Sequence, residues 1–68
     1  MKESISNKVL ELRNKMDITQ EDLAGKIDVT RQTVIAIEKG NYIPSLLLAF
    51  KISKFFKKSI EEIFNYEK

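Results

Sequence analysis

The chain has 68 residues, a net charge of +2 and no cysteine, histidine or tryptophan. These absences exclude disulfide bonds and the common zinc sites, and they remove most catalytic side chains. We therefore expect one domain over residues 1–68 that is not an enzyme and needs no metal or cofactor. No apolar stretch approaches the roughly 18 residues that span a membrane, and Met1–Ser4 lacks the apolar region of a signal peptide, so the expected location is the cytoplasm, without a membrane partner.

Helical periodicity dominates the first part of the chain. Apolar residues at spacings of four, three and four predict a first helix with one inward face, formed by Ile5, Val9, Leu12 and Met16. Thr19 is a good N-cap for a short second helix that runs from Gln20 to about Ile27. The residues of that helix expected to face inward are Leu23, Ala24 and Ile27.

A third helix is predicted to follow the N-cap residue Thr30 and to end before Gly40, which readily adopts the left-handed conformation that ends helices. At 100° per residue, Val34 and Ile37 point inward. The opposite face then carries Gln32, Ile35, Ala36 and Lys39.

Ser45 is expected to cap a fourth helix that extends to about Phe56, and Ser59 with Glu62 has the spacing of a capping box at the start of a fifth. The prediction is therefore an all-α domain of five short helices. The fourth helix carries more apolar residues than one face can bury. We expect Leu47 and either Phe55 or Phe56 to be exposed and to form a dimer contact.

The second and third helices are separated by about three residues, Ile27 to Val29, and the small residue Ala24 allows them to cross closely. This is the arrangement of a helix-turn-helix, whose second helix enters the major groove of DNA. The third helix begins with a cation, Arg31, at the end where the helix dipole favours acids. We therefore predict double-stranded DNA as the partner. The expected base contacts are Arg31, Gln32, Ile35 and Ala36, and the expected backbone contacts are Gln20, Thr30, Thr33, Lys39 and Asn41.

Several segments resemble the XRE family, which includes the phage Cro and repressor DNA-binding domains. They are Thr19-Gln20-Glu21-Asp22-Leu23-Ala24, Val29-Thr30-Arg31-Gln32-Thr33-Val34, Ile37-Glu38-Lys39-Gly40 and Pro44-Ser45-Leu46. The resemblance implies a five-helix, lambda-repressor-like regulator of transcription that binds operator DNA as a homodimer and is most often a repressor. It also implies DNA contacts at Gln20, Arg31 and Gln32, and a salt bridge between Arg13 and Glu38. Where the family often has glycine in turns, this chain has Asp17, Asp28 and Lys57.

Two alternatives remain open at this point. The protein could be an antitoxin whose main partner is a toxin protein, or an interaction module of the same fold that no longer binds DNA. Residues 19–43 contain three cations and four anions, a net charge of −1, which keeps the second alternative open. The antitoxin would also bind DNA, to regulate its own expression, and co-purification with the product of a neighbouring gene would support it. A DNA affinity that falls steeply with rising salt would exclude the interaction module, which has no binding to lose.

Overall fold

The computed structural model describes residues 3–67, which form five helices and a two-stranded sheet. The helices are α1 (Val9–Lys15), α2 (Gln20–Lys26), α3 (Arg31–Lys39), α4 (Leu46–Phe56) and α5 (Ile60–Ile63). The strands are β1 (Ser4–Asn7) and β2 (Phe64–Glu67). Between residues 3 and 67 no helix is both long enough and apolar enough to cross a membrane.

The sheet corrects the all-α prediction. β1 and β2 pair antiparallel, with Ile5 opposite Tyr66 and Asn7 opposite Phe64. α1 begins only at Val9, so Ile5 belongs to a strand, and Met16, at the other end of the expected helical face, is half exposed. The side chain of Asn7 accepts a hydrogen bond from the backbone N–H of Val9 (3.0 Å), and this turn separates the strand from the helix.

One apolar core joins all five helices. Its buried side chains include Leu23, Val34, Ile52 and Ile63, each with none of its surface exposed. The expected inward residues of α2 and α3 are all buried, so those predictions are confirmed. The buried core cluster consists of Val9, Leu12, Leu23, Ala24, Ile27, Val34, Ile37, Leu48, Ile52 and Ile63.

On α4 the prediction of an exposed phenylalanine named the wrong residue. Phe55 and Phe56 are half-buried against the core, and their rings meet edge to face with centroids 5.0 Å apart. Phe50, which the apolar pattern favours as a core residue, is 51% exposed instead. The buried residues Leu48, Ala49 and Ile52 define the inner face of α4, and Phe50 lies on the opposite side of the helix.

Four of the helices begin at the residues expected from their capping side chains. The hydroxyls of Thr19, Thr30, Ser45 and Ser59 each accept a hydrogen bond from the backbone N–H three residues later. Thr19 and Ser59 also receive the reciprocal bond of a capping box, from Asp22 and Glu62 respectively. Local sequence alone therefore determines where these helices start.

The capping box of α5 should make stability depend on pH. The backbone N–H of Ser59 donates to the Glu62 carboxylate (2.8 Å), which lowers the pKa of Glu62 below its usual value. A lowered folded-state pKa means that the contribution is complete above the unfolded-state pKa, about 4.3, and is lost as the pH falls through the folded-state value. We expect Glu62→Gln to reduce the difference in free energy of unfolding between pH 7 and pH 3, measured by urea denaturation. Glu61→Gln, at a position that caps nothing, is the control, and an equal reduction in both variants would contradict the assignment.

Among residues 3–67, three residues other than glycine have a left-handed backbone: Asp17, Asp28 and Lys57, with φ of 58°, 66° and 57°. All three are the positions where the XRE family often has glycine. Lys57 is the C-cap of α4, and a lysine has no local side-chain bond that compensates for this conformation. We expect Lys57→Gly to raise the free energy of unfolding by about 0.5–1 kcal/mol. Gly40→Ala, at φ 80°, is the reverse control and should lower it; thermal unfolding that leaves Lys57→Gly no more stable than the parent would contradict the prediction.

Candidate nucleic-acid interface

The turn between α2 and α3 is held tightly by backbone hydrogen bonds. The N–H of Val29 donates to the carbonyl of Ala24 (2.9 Å), and the N–H of Ile27 donates to that of Leu23 (3.0 Å). Ala24 is 3% exposed, and its small side chain belongs to the buried core cluster to which both helices contribute. Asp28, in the turn, adopts the left-handed backbone conformation of this short connection. The two helices therefore form a helix-turn-helix.

α3 has one buried and one exposed face. Val34 and Ile37 are fully buried, whereas Arg31 and Gln32 are exposed in its first turn. Ile35 and Ala36, the other two expected base contacts, are half-buried next to that exposed face. Gln32, Ile35 and Ala36 thus lie on the side of α3 away from its buried residues, with Arg31 on the flank of that face. Arg31 and Gln32 are the more exposed of the four expected base contacts.

The start of α3 differs in charge from those of α2 and α5. The first turns of α2 and α5 each contain two acids, whereas the first turn of α3 contains none and begins with Arg31. The hydroxyl of Thr30 accepts from the backbone N–H of Thr33 (3.3 Å), and the two threonine hydroxyls lie 3.1 Å apart. Both hydroxyls are thus beside the positive end of the helix dipole, where an anion is favoured.

A polar network ties α3 to α1 and to the start of α2. Arg13 donates from Nε to Oε2 of Glu38 (2.7 Å) and from Nη2 to Oε1 (3.2 Å), and the two side chains are only 11% and 4% exposed. Nη1 of Arg13 donates to the carbonyl of Ile18 (2.8 Å). The amide of Gln20 donates to Oε1 of Glu38 (3.0 Å). The ion pair between Arg13 and Glu38 that the family resemblance implies is therefore present, and it is bidentate.

This network also orients Gln20, one of the expected DNA backbone contacts. One amide hydrogen of Gln20 is held by Glu38, so the second remains available as a donor at the start of α2. A side chain that is held in place loses less conformational entropy when it binds. The network therefore stabilises the arrangement of α1, α2 and α3 and holds the Gln20 amide in place at the start of α2.

At the other end of α3, Lys39 and Asn41 are exposed on either side of Gly40. The backbone N–H of Asn41 donates to the carbonyl of Ala36 (2.9 Å), which closes the end of the helix. The carbonyl of Ile37 accepts from the side chain of Asn7 (2.9 Å), which lies in β1. The sequence did not indicate this contact. An asparagine just before a helix indicates a local turn, but no local sequence pattern reveals a hydrogen bond to a residue 30 positions away.

The buried inner face, the tight turn and the exposed cationic start of α3 define a helix-turn-helix domain of the DNA-binding type. Residues 9–63 match the family model described as Helix-turn-helix, and the chain belongs to this family, the XRE family. The prediction from the sequence motifs is thus confirmed, and the protein is a DNA-binding transcriptional regulator.

The names of curated relatives agree with membership of this family. An uncharacterized HTH-type transcriptional regulator of Methanocaldococcus jannaschii is 60% identical over 63 residues, which cover 93% of this chain and 96% of the relative. The HTH-type regulator YgzD of Bacillus subtilis is 55% identical over 60 residues, covering 88% and 91%. The cryptic phage CTXphi transcriptional repressor RstR of Vibrio cholerae is 38% identical over 58 residues, covering 85% and 52%. These names favour a regulator of transcription over an antitoxin or an interaction module that has lost DNA binding.

Proposed function

We propose that this protein is a repressor that occupies operator DNA as a homodimer, with α3 lying in the major groove. The observation that carries the proposal is the exposure of Arg31 and Gln32 on a helix whose opposite face is fully buried. An arginine pairs with the O6 and N7 acceptors of guanine, and a glutamine pairs with the N6 and N7 groups of adenine. Ile35 and Ala36, next to them, are apolar and suit the methyl group of thymine.

Contacts to phosphates would set the register of α3 in the groove. The remaining amide hydrogen of Gln20 and the backbone N–H groups at the start of α3 are donors of the kind that bind phosphate. The hydroxyls of Thr30 and Thr33 lie at the same helix end, and Lys39 and Asn41 lie at the other. Donors at both ends of α3 suit two stretches of backbone on either side of one major groove.

The homodimer is supported by exposed apolar side chains near the end of α3. Ile43 and Leu46 are 63% and 71% exposed, and neighbouring exposed apolar side chains of this kind are typical of protein interfaces. We place the dimer contact mainly at Ile43 and Leu46. The sequence predicted three dimer contacts. Of these, Leu47 lies beside this surface, whereas Phe55 and Phe56 are half-buried against the core. A two-fold axis near Ile43 would bring the two α3 helices toward successive major grooves, about 34 Å apart.

Repression is proposed because one relative, RstR, is named a transcriptional repressor. A dimer over an operator can act simply by occupying the DNA that another protein needs. This mode requires nothing beyond the binding surface and sufficient affinity.

The test is selection of binding sites from a pool of random DNA duplexes by the full chain. We expect an inverted repeat whose half-sites are about one helical turn apart, because a two-fold dimer reads the same bases twice. Affinity for the selected site should fall steeply with rising salt, since each neutralised phosphate releases counterions. A single half-site would contradict the homodimer, and a pool that stays random would contradict sequence-specific binding itself.

A further inference from the structure

Beyond the DNA-binding face, an open groove of about 480 Å³ lies along α4, on the side of the turn between α2 and α3. Its apolar lining consists of Leu47, Phe50 and Phe55. Leu47 is 68% and Phe50 51% exposed, so two large side chains stand in water without a partner in the described chain. Neighbouring large apolar side chains that are exposed in this way are typical of a surface where another molecule binds.

The charges around the groove are mostly positive. Lys26, Lys51 and Lys54 line it, with Asp28 as the one acid among its lining residues. Asp28 lies 3.8 Å from Lys51, and the two side chains are 90% and 40% exposed, so this pair is weak and easily exchanged for another carboxylate. The groove therefore combines an apolar floor with a net positive border.

The groove differs in position from the surface that we propose for the dimer. Leu46 and Leu47 are neighbours on α4 and therefore point about 100° apart around the helix. Phe50, one turn after Leu46, lies between these two directions and borders both surfaces. Ile43 lies with Ile5 and Tyr66 at the end of the sheet, whereas Leu47 lies toward the turn at Asp28. Leu47 and the lysines beside it therefore stay exposed after Ile43 and Leu46 are covered.

A second copy of the chain is a poor fit to the groove. Two copies meeting groove to groove would bring six lysines together with only two acids, one Asp28 from each copy, and such an excess of like charge at an interface is unfavourable. A partner with carboxylates around large apolar side chains would satisfy both the floor and the border. An amphipathic helix with leucine or phenylalanine at spacings of three and four, and with acids elsewhere, has this chemistry.

We infer that this groove, formed by Leu47, Phe50 and Phe55 between Lys26, Lys51 and Lys54, binds an acidic amphipathic helix of a second protein. The regulator would then contact DNA through α3 and a protein through α4. The inference does not depend on which bases α3 reads.

The experiment uses the full chain and a labelled synthetic peptide of about 15 residues, long enough to form a helix. Leucine and phenylalanine occupy its positions i, i+3, i+4 and i+7, and glutamate occupies most others. Fluorescence anisotropy should show binding of this peptide, and a matched peptide with lysine in place of glutamate should bind about tenfold or more weakly. Equal binding of the two peptides, or of neither, overturns the proposal.

Exposed positions provide variants that keep the fold. Leu47→Ser and Phe50→Ser should each weaken binding of the acidic peptide by about tenfold, whereas Leu10→Ser, at a half-exposed leucine of α1, should not. The triple variant Lys26→Glu/Lys51→Glu/Lys54→Glu should now prefer the lysine peptide. A change in oligomeric state of Leu47→Ser, or a loss of DNA affinity in all groove variants with unchanged peptide binding, would assign the groove to a second copy or to DNA and overturn the proposal.

Discussion

Arg13→Leu is expected to lower the free energy of unfolding by about 3–5 kcal/mol. The change leaves the Glu38 carboxylate, which is 4% exposed, without its cation in a site where water cannot replace it. It also removes the donor to the carbonyl of Ile18. A domain of this length has about 3–10 kcal/mol of total stability, so the variant should be largely unfolded at room temperature or close to it. Urea denaturation followed by circular dichroism measures the loss.

The exposed ion pair of α1 provides the matched control. Glu11 and Lys15 lie 3.7 Å apart with side chains 60% and 70% exposed, and Glu11→Gln should cost at most about 0.5 kcal/mol. The double variant Arg13→Leu/Glu38→Leu removes both buried charges together, and we expect it to recover part of the loss. A loss near that of Glu11→Gln for Arg13→Leu would mean that the buried pair is solvated after all, and a double variant no more stable than the single one would show that the apolar core cannot fill the site.

The parts of this fold that the sequence predicts are those whose causes are local. Thr19, Thr30, Ser45 and Ser59 each determine a helix start through a bond to a residue three positions away. The sheet depends instead on strands at opposite ends of the chain, with Ser4 opposite Glu67. Four-residue strands are too short to show a period of two reliably, and the apolar spacing from Ile5 to Val9 fits a helix equally well.

The candidate site likewise contains some features that local sequence predicts and others that it does not. The two faces of α3 follow from helical geometry, so Arg31 and Gln32 could be placed from the sequence. The pairing of Arg13 with Glu38 joins residues 25 positions apart and came only from the family resemblance, and the hydrogen bond from Gln20 to Glu38 was not expected. The exposure of Phe50 could not be read from composition either, because it depends on which side of α4 the remaining helices cover.

The second large effect concerns DNA binding. We expect Arg31→Ala to weaken binding to the selected operator by about 1–3 kcal/mol, or roughly 5- to 150-fold, and to relax the preference at one base pair in each half-site. In the described part of the chain the Arg31 side chain is exposed and takes part in none of the ion pairs, so its loss should not unfold the domain. The free energy of unfolding should even rise by a few tenths of a kcal/mol, because a cation leaves the positive end of α3. Binding and unfolding measured on the same preparations separate the two effects.

Arg31→Lys distinguishes a base contact from a phosphate contact. Lysine keeps the charge but not the planar pair of donors that matches the acceptors of guanine. If Arg31 reads a base, Arg31→Lys should lose most of the sequence preference while its affinity for random DNA stays near that of the parent. If Arg31 holds a phosphate, Arg31→Lys should behave like the parent, and Arg31→Ala should weaken operator and random DNA equally while reducing the salt slope by about 1. Lys58→Ala, which removes one charge in the turn before α5, controls for the change in net charge, and the base-reading role of Arg31 fails if Lys58→Ala and Arg31→Ala cannot be told apart on the operator.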